Sequence, residues 1–204
     1  ELHQACDAAG ADLYFEAAVA GAIPLLRPLR ESLVGDQVQR VLGIVNGTTN
    51  YILTRMDESG ASFEDALAEA QALGYAEADP TADIEGHDAA AKAAIIAGLA
   101  FHSRVTLDDV YCEGITHITA SDVDAARETG HVVKLLAVAK LVNGQIEMHV
   151  QPTLVRREKP LATVDGAFNI VAIEGDAIGK AWFSGPGAGQ MPTASAVVAD
   201  LIDT

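Results

Sequence analysis

Apolar positions recur along this chain with two clear periods, and short polar or glycine-rich breaks separate them. Val38 to Val45 is apolar and β-branched and predicts a buried strand. His131 to Val142 and Gln145 to Val155 flank Asn143-Gly144, so they predict a long antiparallel hairpin. Ile170 to Glu174 and Ala177 to Phe183 predict a second pair turning at Gly175-Asp176. Glu1 to Ala9 has a helical pattern closed by Gly10, and Leu13-Tyr14-Phe15 then reads as a short buried strand. Pro24 suits the first turn of a following helix. Ser62 with Asp65 forms an N-terminal capping pattern for a helix that runs to about Leu73 and stops at Gly74. A further helix is expected from Asp88 through DAAAKAAIIAGLAFHSR, and another after the glycine-rich turn of GPGAGQMPTASAVVADL, Gly185 to Leu201. Strands mixed with helices predict an α+β fold, a mixed β-sheet with helices mainly on one face. Because the chain opens inside a helix-like segment without an initiator Met, it reads as one domain of a longer protein.

Composition narrows the classes of function. The 204 residues carry 13 basic and 29 acidic side chains, a net charge of −16, with 50% hydrophobic residues. That apolar content suffices for a core, and the negative charge argues against a nucleic-acid partner, which needs clustered Lys and Arg. No apolar run is long enough for a membrane span, and no signal peptide opens the chain, so a cytoplasmic protein is expected. Cys6 and Cys112 make neither a disulfide framework nor a metal-ligand spacing. The histidines share no metal spacing; His87 reads as a helix-start residue. Cys112 has no paired base that would make it a nucleophile.

The charge is concentrated. Ten acids and no Lys or Arg fall between Asp57 and Ala91. Glu64, Asp65 and Glu69 read as a solvated helix face. Glu77, Asp79, Asp83, Glu85 and Asp88 crowd twelve residues of a Pro-broken loop and helix start, and their mutual repulsion calls for a cation nearby. Lys92 is the only charged residue from Ala89 to Phe101, on a helix apolar all round, with Asp88 at i−4 on the same face. Two readings stand: a snorkelling lysine in a surface pair, or a buried carboxylate-paired lysine of the kind that transfers a proton at a carbonyl.

The run ALGYAEADPTADIEGHDAAAK, Ala72 to Lys92, resembles the signature of homoserine dehydrogenases. YFEAAVAGAIPLL (Tyr14 to Leu26), GIVNGTTNYIL (Gly43 to Leu53) and the Gly185 to Leu201 segment agree in order and spacing, so the resemblance covers essentially the whole chain. It implies NAD(P)-dependent interconversion of L-homoserine and L-aspartate 4-semialdehyde, in threonine and methionine biosynthesis. It also implies that Lys92 is catalytic with Asp88 as its partner. Glu77, Asp83 and Asp88 would bind the small-molecule substrate, together with Thr48 and Gly74. Gly74, Gly187 and Gly189 would approach the cofactor, and Glu16, Val19, Gly21 and Ile23 would hold a sodium-like monovalent cation. The family further implies a homodimer whose partner covers the second face of the sheet. A Rossmann domain precedes this region in the family, and no GxGxxG occurs in these 204 residues. Residues 1–204 are therefore expected to be the catalytic and dimerisation domain, with weak cofactor binding and little turnover when isolated. The alternatives are a non-catalytic dimerisation module that retains the motif, or a dehydrogenase for another amino-acid-derived alcohol.

Overall fold

The computed structural model describes residues 2–202. Strands β1 (Val38–Ile44), β2 (Tyr111–Cys112), β3 (His131–Val142), β4 (Gln145–Arg156), β5 (Phe168–Gly175) and β6 (Gly179–Pro186) form one open sheet in the order β2-β4-β3-β1-β5-β6. Every neighbouring pair is antiparallel except β2 with β4, so the sheet is mixed, as expected. The helices are α1 (Leu2–Ala9), α2 (Gly47–Ser59), α3 (Phe63–Ala72), α4 (Thr81–Ile84), α5 (His87–Ala100), α6 (Ala120–Glu128) and α7 (Gln190–Ile202). Glu1, at the start of the expected first helix, lies outside the described residues. Among the described residues no helix is long and apolar enough to cross a membrane.

The two faces of the sheet are covered differently. On one, α5 packs across β1, β3 and β4, with α2 and α6 against β3. Val133, Leu135, Ala137 and Ala139 alternate inward there, as the two-residue period of a strand requires. On the other face a smaller cluster of Ile44, Val132, Leu136 and Ile170 is roofed by Leu161 and Ala162 of a short turn, Pro160–Thr163. Lys134 lies between these residues, only 2% exposed. Its Nζ donates to the Val164 carbonyl at 2.7 Å and the Asn50 Oδ1 at 3.1 Å, and contacts Asp165 Oδ1 at 3.3 Å. Burial pushes this ammonium below the usual lysine range, and the Asp165 charge offsets part of that.

The hairpin of β3 and β4 turns where the sequence places it, with Asn143 and Gly144 both at positive φ (52° and 78°). Three local expectations are corrected. Leu13-Tyr14-Phe15 is irregular, not a strand. The chain there leads directly into a 3₁₀ turn at Glu16–Ala18, whose first side chain is turned back onto the following backbone. Pro24 stands two residues before the helical segment, outside its first turn; the helix opens at Leu26 and continues as the wide turn Pro28–Ser32. The N–H groups of Leu25, Leu26 and Arg27 are engaged by Glu16, which fixes the approach to that turn. Finally, β5 and β6 pair Gly175 with Gly179, so the turn holds three residues, not two. Asp36 causes this: its carboxylate accepts the N–H groups of Ala177 at 2.9 Å and Ile178 at 2.8 Å.

Arg40, Glu174 and Lys180 lie side by side across β1, β5 and β6. Arg40 donates to Glu174 through Nε at 2.8 Å and Nη2 at 2.9 Å, and Lys180 contacts the same carboxylate. These bonds, Arg40 first, hold the Glu174 carboxyl below the usual glutamate range against a smaller desolvation effect. A carboxylate so depressed contributes stability above the unfolded-state value and loses it as pH falls through the folded-state value. The gap in thermal midpoint between the wild type and Glu174→Gln should therefore shrink as pH drops from about 7 to about 3. A gap that stays constant would remove Glu174 from the acid response.

Candidate active site

The site is built where β1 ends and α2 and α5 begin. Gly86 stands at positive φ (83°) and turns the chain into α5; a Cβ there would meet Cys112 Sγ at 3.0 Å. Cys112 itself points its thiol at the Glu85 carbonyl, 3.3 Å away, and burial pushes that thiol up. It is a packing residue of the turn, with no base bonded to it among the described residues. From Gly86, α5 buries Ala89, Ala90, Ala93, Ile96, Ala97 and Ala100. The small side chains let the helix lie close on the sheet. Lys92 leans back one turn, and its Nζ donates to Asp88 Oδ2 at 2.7 Å and to the Val45 carbonyl at 3.1 Å. Its side chain is 20% exposed and that of Asp88 32%, so the pair sits in an opening and not in the deep core.

Asn46 follows Val45 and is the N-cap of α2, with Oδ1 accepting the Thr49 N–H at 2.9 Å. The same oxygen accepts the Thr49 hydroxyl at 2.9 Å. Its Nδ2 donates to Asp83 Oδ1 at 2.6 Å and to Asp88 Oδ2 at 2.9 Å. Asp83 comes from α4, the single turn after Pro80, so three separate segments meet at one amide. Asn46 and the Val45 carbonyl were not anticipated from sequence, although Asn46 with Thr49 three residues on is a capping pattern.

The other expected substrate residues are placed less centrally. Thr48 is buried and its hydroxyl donates to the Tyr75 carbonyl at 2.7 Å, which ties α2 to the turn after α3. Gly74 forms that turn at positive φ (78°), with open space where a side chain would stand. Tyr75 packs its ring on Tyr51, centroids 4.8 Å apart. Glu77 is exposed; its carbonyl accepts the Gln71 amide at 3.0 Å, and its carboxylate is outside the hydrogen-bonded cluster around Lys92. Asp79 Oδ1 accepts the Thr81 N–H at 3.2 Å and its hydroxyl at 2.6 Å. Of the five crowded acids, then, Asp88 bonds the lysine and Asp83 is linked to it through Asn46. Among the described residues no group of three or more His, Cys, Asp or Glu side chains is arranged to hold a metal ion.

The glycine-rich turn lies at the same end of the sheet, because Ile44 pairs with Ile170 and Ile170 with Ser184. A Cβ on Gly187 would fall 2.2–2.5 Å from the Asn169 side-chain amide, and one on Gly21 would fall 2.7 Å from the Gly187 carbonyl oxygen. Only glycine lets Gly187 lie against that side chain and Gly21 against that main chain. Gly189 opens α7, its carbonyl accepting the Thr193 N–H at 3.0 Å. The Glu16 carboxylate is bonded to main chain: Oε1 accepts the N–H groups of Leu25 at 2.6 Å and Leu26 at 2.9 Å, and Oε2 that of Arg27 at 2.7 Å. Val19, Gly21 and Ile23 are buried, and their main-chain oxygens accept no hydrogen bond from the described residues. Main-chain oxygens are the donor type that a hard monovalent ion takes.

A sequence profile of the homoserine dehydrogenase family matches residues 24–202. The homoserine dehydrogenase of Corynebacterium glutamicum is 59% identical over 99% of this chain and 46% of its own length. This chain spans about half the length of the curated relatives it matches. The crystal structure of a homoserine dehydrogenase from Thiobacillus denitrificans superposes with a TM-score of 0.96 at 49% identity, over 99% of this chain and 47% of that one. A hyperthermophilic archaeal homoserine dehydrogenase mutant in complex with NADPH superposes with a TM-score of 0.82 at 32% identity, over 99% of this chain and 58% of that one. With the profile spanning most of the sequence and the fold matched along 99% of it, the chain belongs to the homoserine dehydrogenase family.

Proposed function

We propose that this chain is the catalytic and dimerisation domain of an enzyme that interconverts L-homoserine and L-aspartate 4-semialdehyde with NAD(P), in the cytoplasmic synthesis of threonine and methionine. The observation that carries this reading is Lys92 Nζ, held between Asp88 Oδ2 and the Val45 carbonyl on the buried helix α5. Bound NAD(P) supplies or accepts the hydride at the substrate's terminal carbon. Lys92 does the proton work at the oxygen: its ammonium stabilises the alkoxide developing from the aldehyde and donates a proton to it. In the direction of oxidation the neutral amine takes the hydroxyl proton. Asp88 and Val45 aim the amine and keep its lone pair and protons in one orientation.

The acids serve the other end of the substrate. Asp83 and Asp88 carry two negative charges against the single charge of Lys92, and the excess suits the α-ammonium of homoserine, with Glu77 at the exposed margin. Gly74 and Thr48 shape the wall between α2 and α3. Gly187 and Gly189 would let the dinucleotide approach main chain at the start of α7; the NADPH complex of the archaeal relative supports a nicotinamide cofactor. A sodium-like ion would be held by the main-chain oxygens of Glu16, Val19, Gly21 and Ile23.

The homodimer would form on the sheet face away from α5. Register places Tyr111, His149, Val138, Leu42, Ala172 and Trp182 in one row across all six strands. Tyr111 is 60% and Trp182 38% exposed at its ends. A partner would bury both. The test is an assay of the natural polypeptide that carries this chain: homoserine-dependent NAD(P)H formation is expected, from a species sedimenting as a dimer. The isolated 204 residues should show little or no turnover. No oxidation of homoserine by the natural polypeptide would overturn the reading.

A further inference from the structure

Asn46 holds a position in the cluster that its capping role does not require. Its amide orientation is fixed: Oδ1 accepts both donors of Thr49, so Nδ2 must face the two carboxylates. An amide nitrogen carries two hydrogens, and each goes to a different aspartate. The residue is 5% exposed, so water does not compete for them. At 2.6 and 2.9 Å from one nitrogen, the accepting oxygens of Asp83 and Asp88 lie within 5.5 Å of each other. Two carboxylates that close repel, and a donor shared between them offsets that repulsion and holds both in place. Lys92 reaches only Asp88. Asp83 has no cation within bonding distance among the described residues, and Asn46 is what fastens it to the site.

We infer that Asn46 is a positioning residue that sets substrate selectivity: by donating to Asp83 and Asp88 together it keeps them as an anionic pair beside Lys92, and that pair selects a substrate bearing an ammonium group. This rests on the activity proposed above. A small side chain at a helix start would cap α2 equally well as Ser or Asp, but neither can donate to two acids. Asn46→Ser keeps the cap and removes both donations. Asn46→Asp keeps the shape as well and turns a shared donor into a third anion.

The experiment uses the natural polypeptide and two ligands, L-homoserine and 4-hydroxybutanoate, which is homoserine without its amino group. Where the second is turned over too slowly, its inhibition constant against homoserine replaces its kcat/KM. For Asn46→Ser the homoserine KM should rise by about 10- to 100-fold, the range expected on losing bonds to charged groups. Binding or turnover of 4-hydroxybutanoate should change less than about 3-fold. Asn46→Asp, if Ser fails to fold, should lose the same preference for the amino compound. An equal loss on both ligands would make Asn46 a structural cap only, and unchanged homoserine kinetics would remove it from the site. Either result overturns the inference. Failure of the underlying activity is read separately, as absence of wild-type turnover or retention of it in Lys92→Ala.

Discussion

Lys92→Ala in the natural polypeptide is expected to lower kcat for homoserine oxidation by about 10³-fold while the protein stays folded, because positioned proton transfer contributes about 10²- to 10⁴-fold. The side chain is bonded at its tip alone, to Asp88 and to the Val45 carbonyl, and it is partly exposed, so its removal opens no sealed cavity. Asp88 keeps its bond from Asn46, and the Val45 carbonyl gains access to water through the same opening. The thermal midpoint should move by a few degrees at most. Lys92→Arg should not restore the rate, since a guanidinium stays protonated at working pH and cannot act as the base in oxidation. Steady-state kinetics beside a melting curve decide the matter. A kcat within tenfold of wild type in a folded Lys92→Ala protein would return Lys92 to a surface pair and favour the dimerisation-module alternative.

The largest effect on stability is expected at Glu16. Its carboxylate takes three main-chain N–H groups in succession, those of Leu25, Leu26 and Arg27. Leu25 is 0% and Leu26 4% exposed, so water cannot replace the lost acceptor. Each buried donor left without a partner costs about 1–3 kcal/mol, and Glu16→Ala should lower unfolding free energy by about 3 kcal/mol or more. Glu16→Gln tests the charge separately. It keeps the volume and one oxygen, yet its NH₂ must face a backbone N–H, donor against donor, so an intermediate loss is expected. Urea unfolding of the three proteins measures both. A loss under about 1 kcal/mol for Glu16→Ala would mean that the Glu16–Arg27 loop does not depend on this carboxylate. The family resemblance points to Glu16 as part of a cation site; in the structure its carboxylate accepts three main-chain N–H groups.

Much of this protein is legible one segment at a time. The Asn143-Gly144 turn, the Ser62 cap with the Gly74 stop, and the spacing of Asp88 to Lys92 each depend on residues within one or two turns of each other. Local sterics and local hydrogen bonds decide such features, and those travel with the sequence. The same locality explains the misses. Leu13-Tyr14-Phe15 has the composition of a strand, but a strand needs a neighbour, and among the described residues none pairs with it. The two-residue turn after Gly175 became three because Asp36, far away in the chain, takes its N–H groups.

The sequence by itself determined the class of sheet, the long hairpin, the helix that carries Lys92 and the pairing of that lysine with Asp88. It also located the acids from which the site is drawn. Only the tertiary structure decided which of those acids join the hydrogen-bonded cluster around Lys92 and Asn46. Asn46 meets Asp83 across 37 residues, and Lys92 meets the Val45 carbonyl across 47, because β1 is central in the strand order and α5 lies over it. Lys134 shows the same rule in the core: nothing in its strand's alternating pattern marks a buried ammonium, and its carbonyl and amide partners arrive from α2 and the loop before β5. Periodicity states which way a side chain faces. What it finds there depends on which segments the sheet order and helix packing bring alongside, and that is a property of the folded chain.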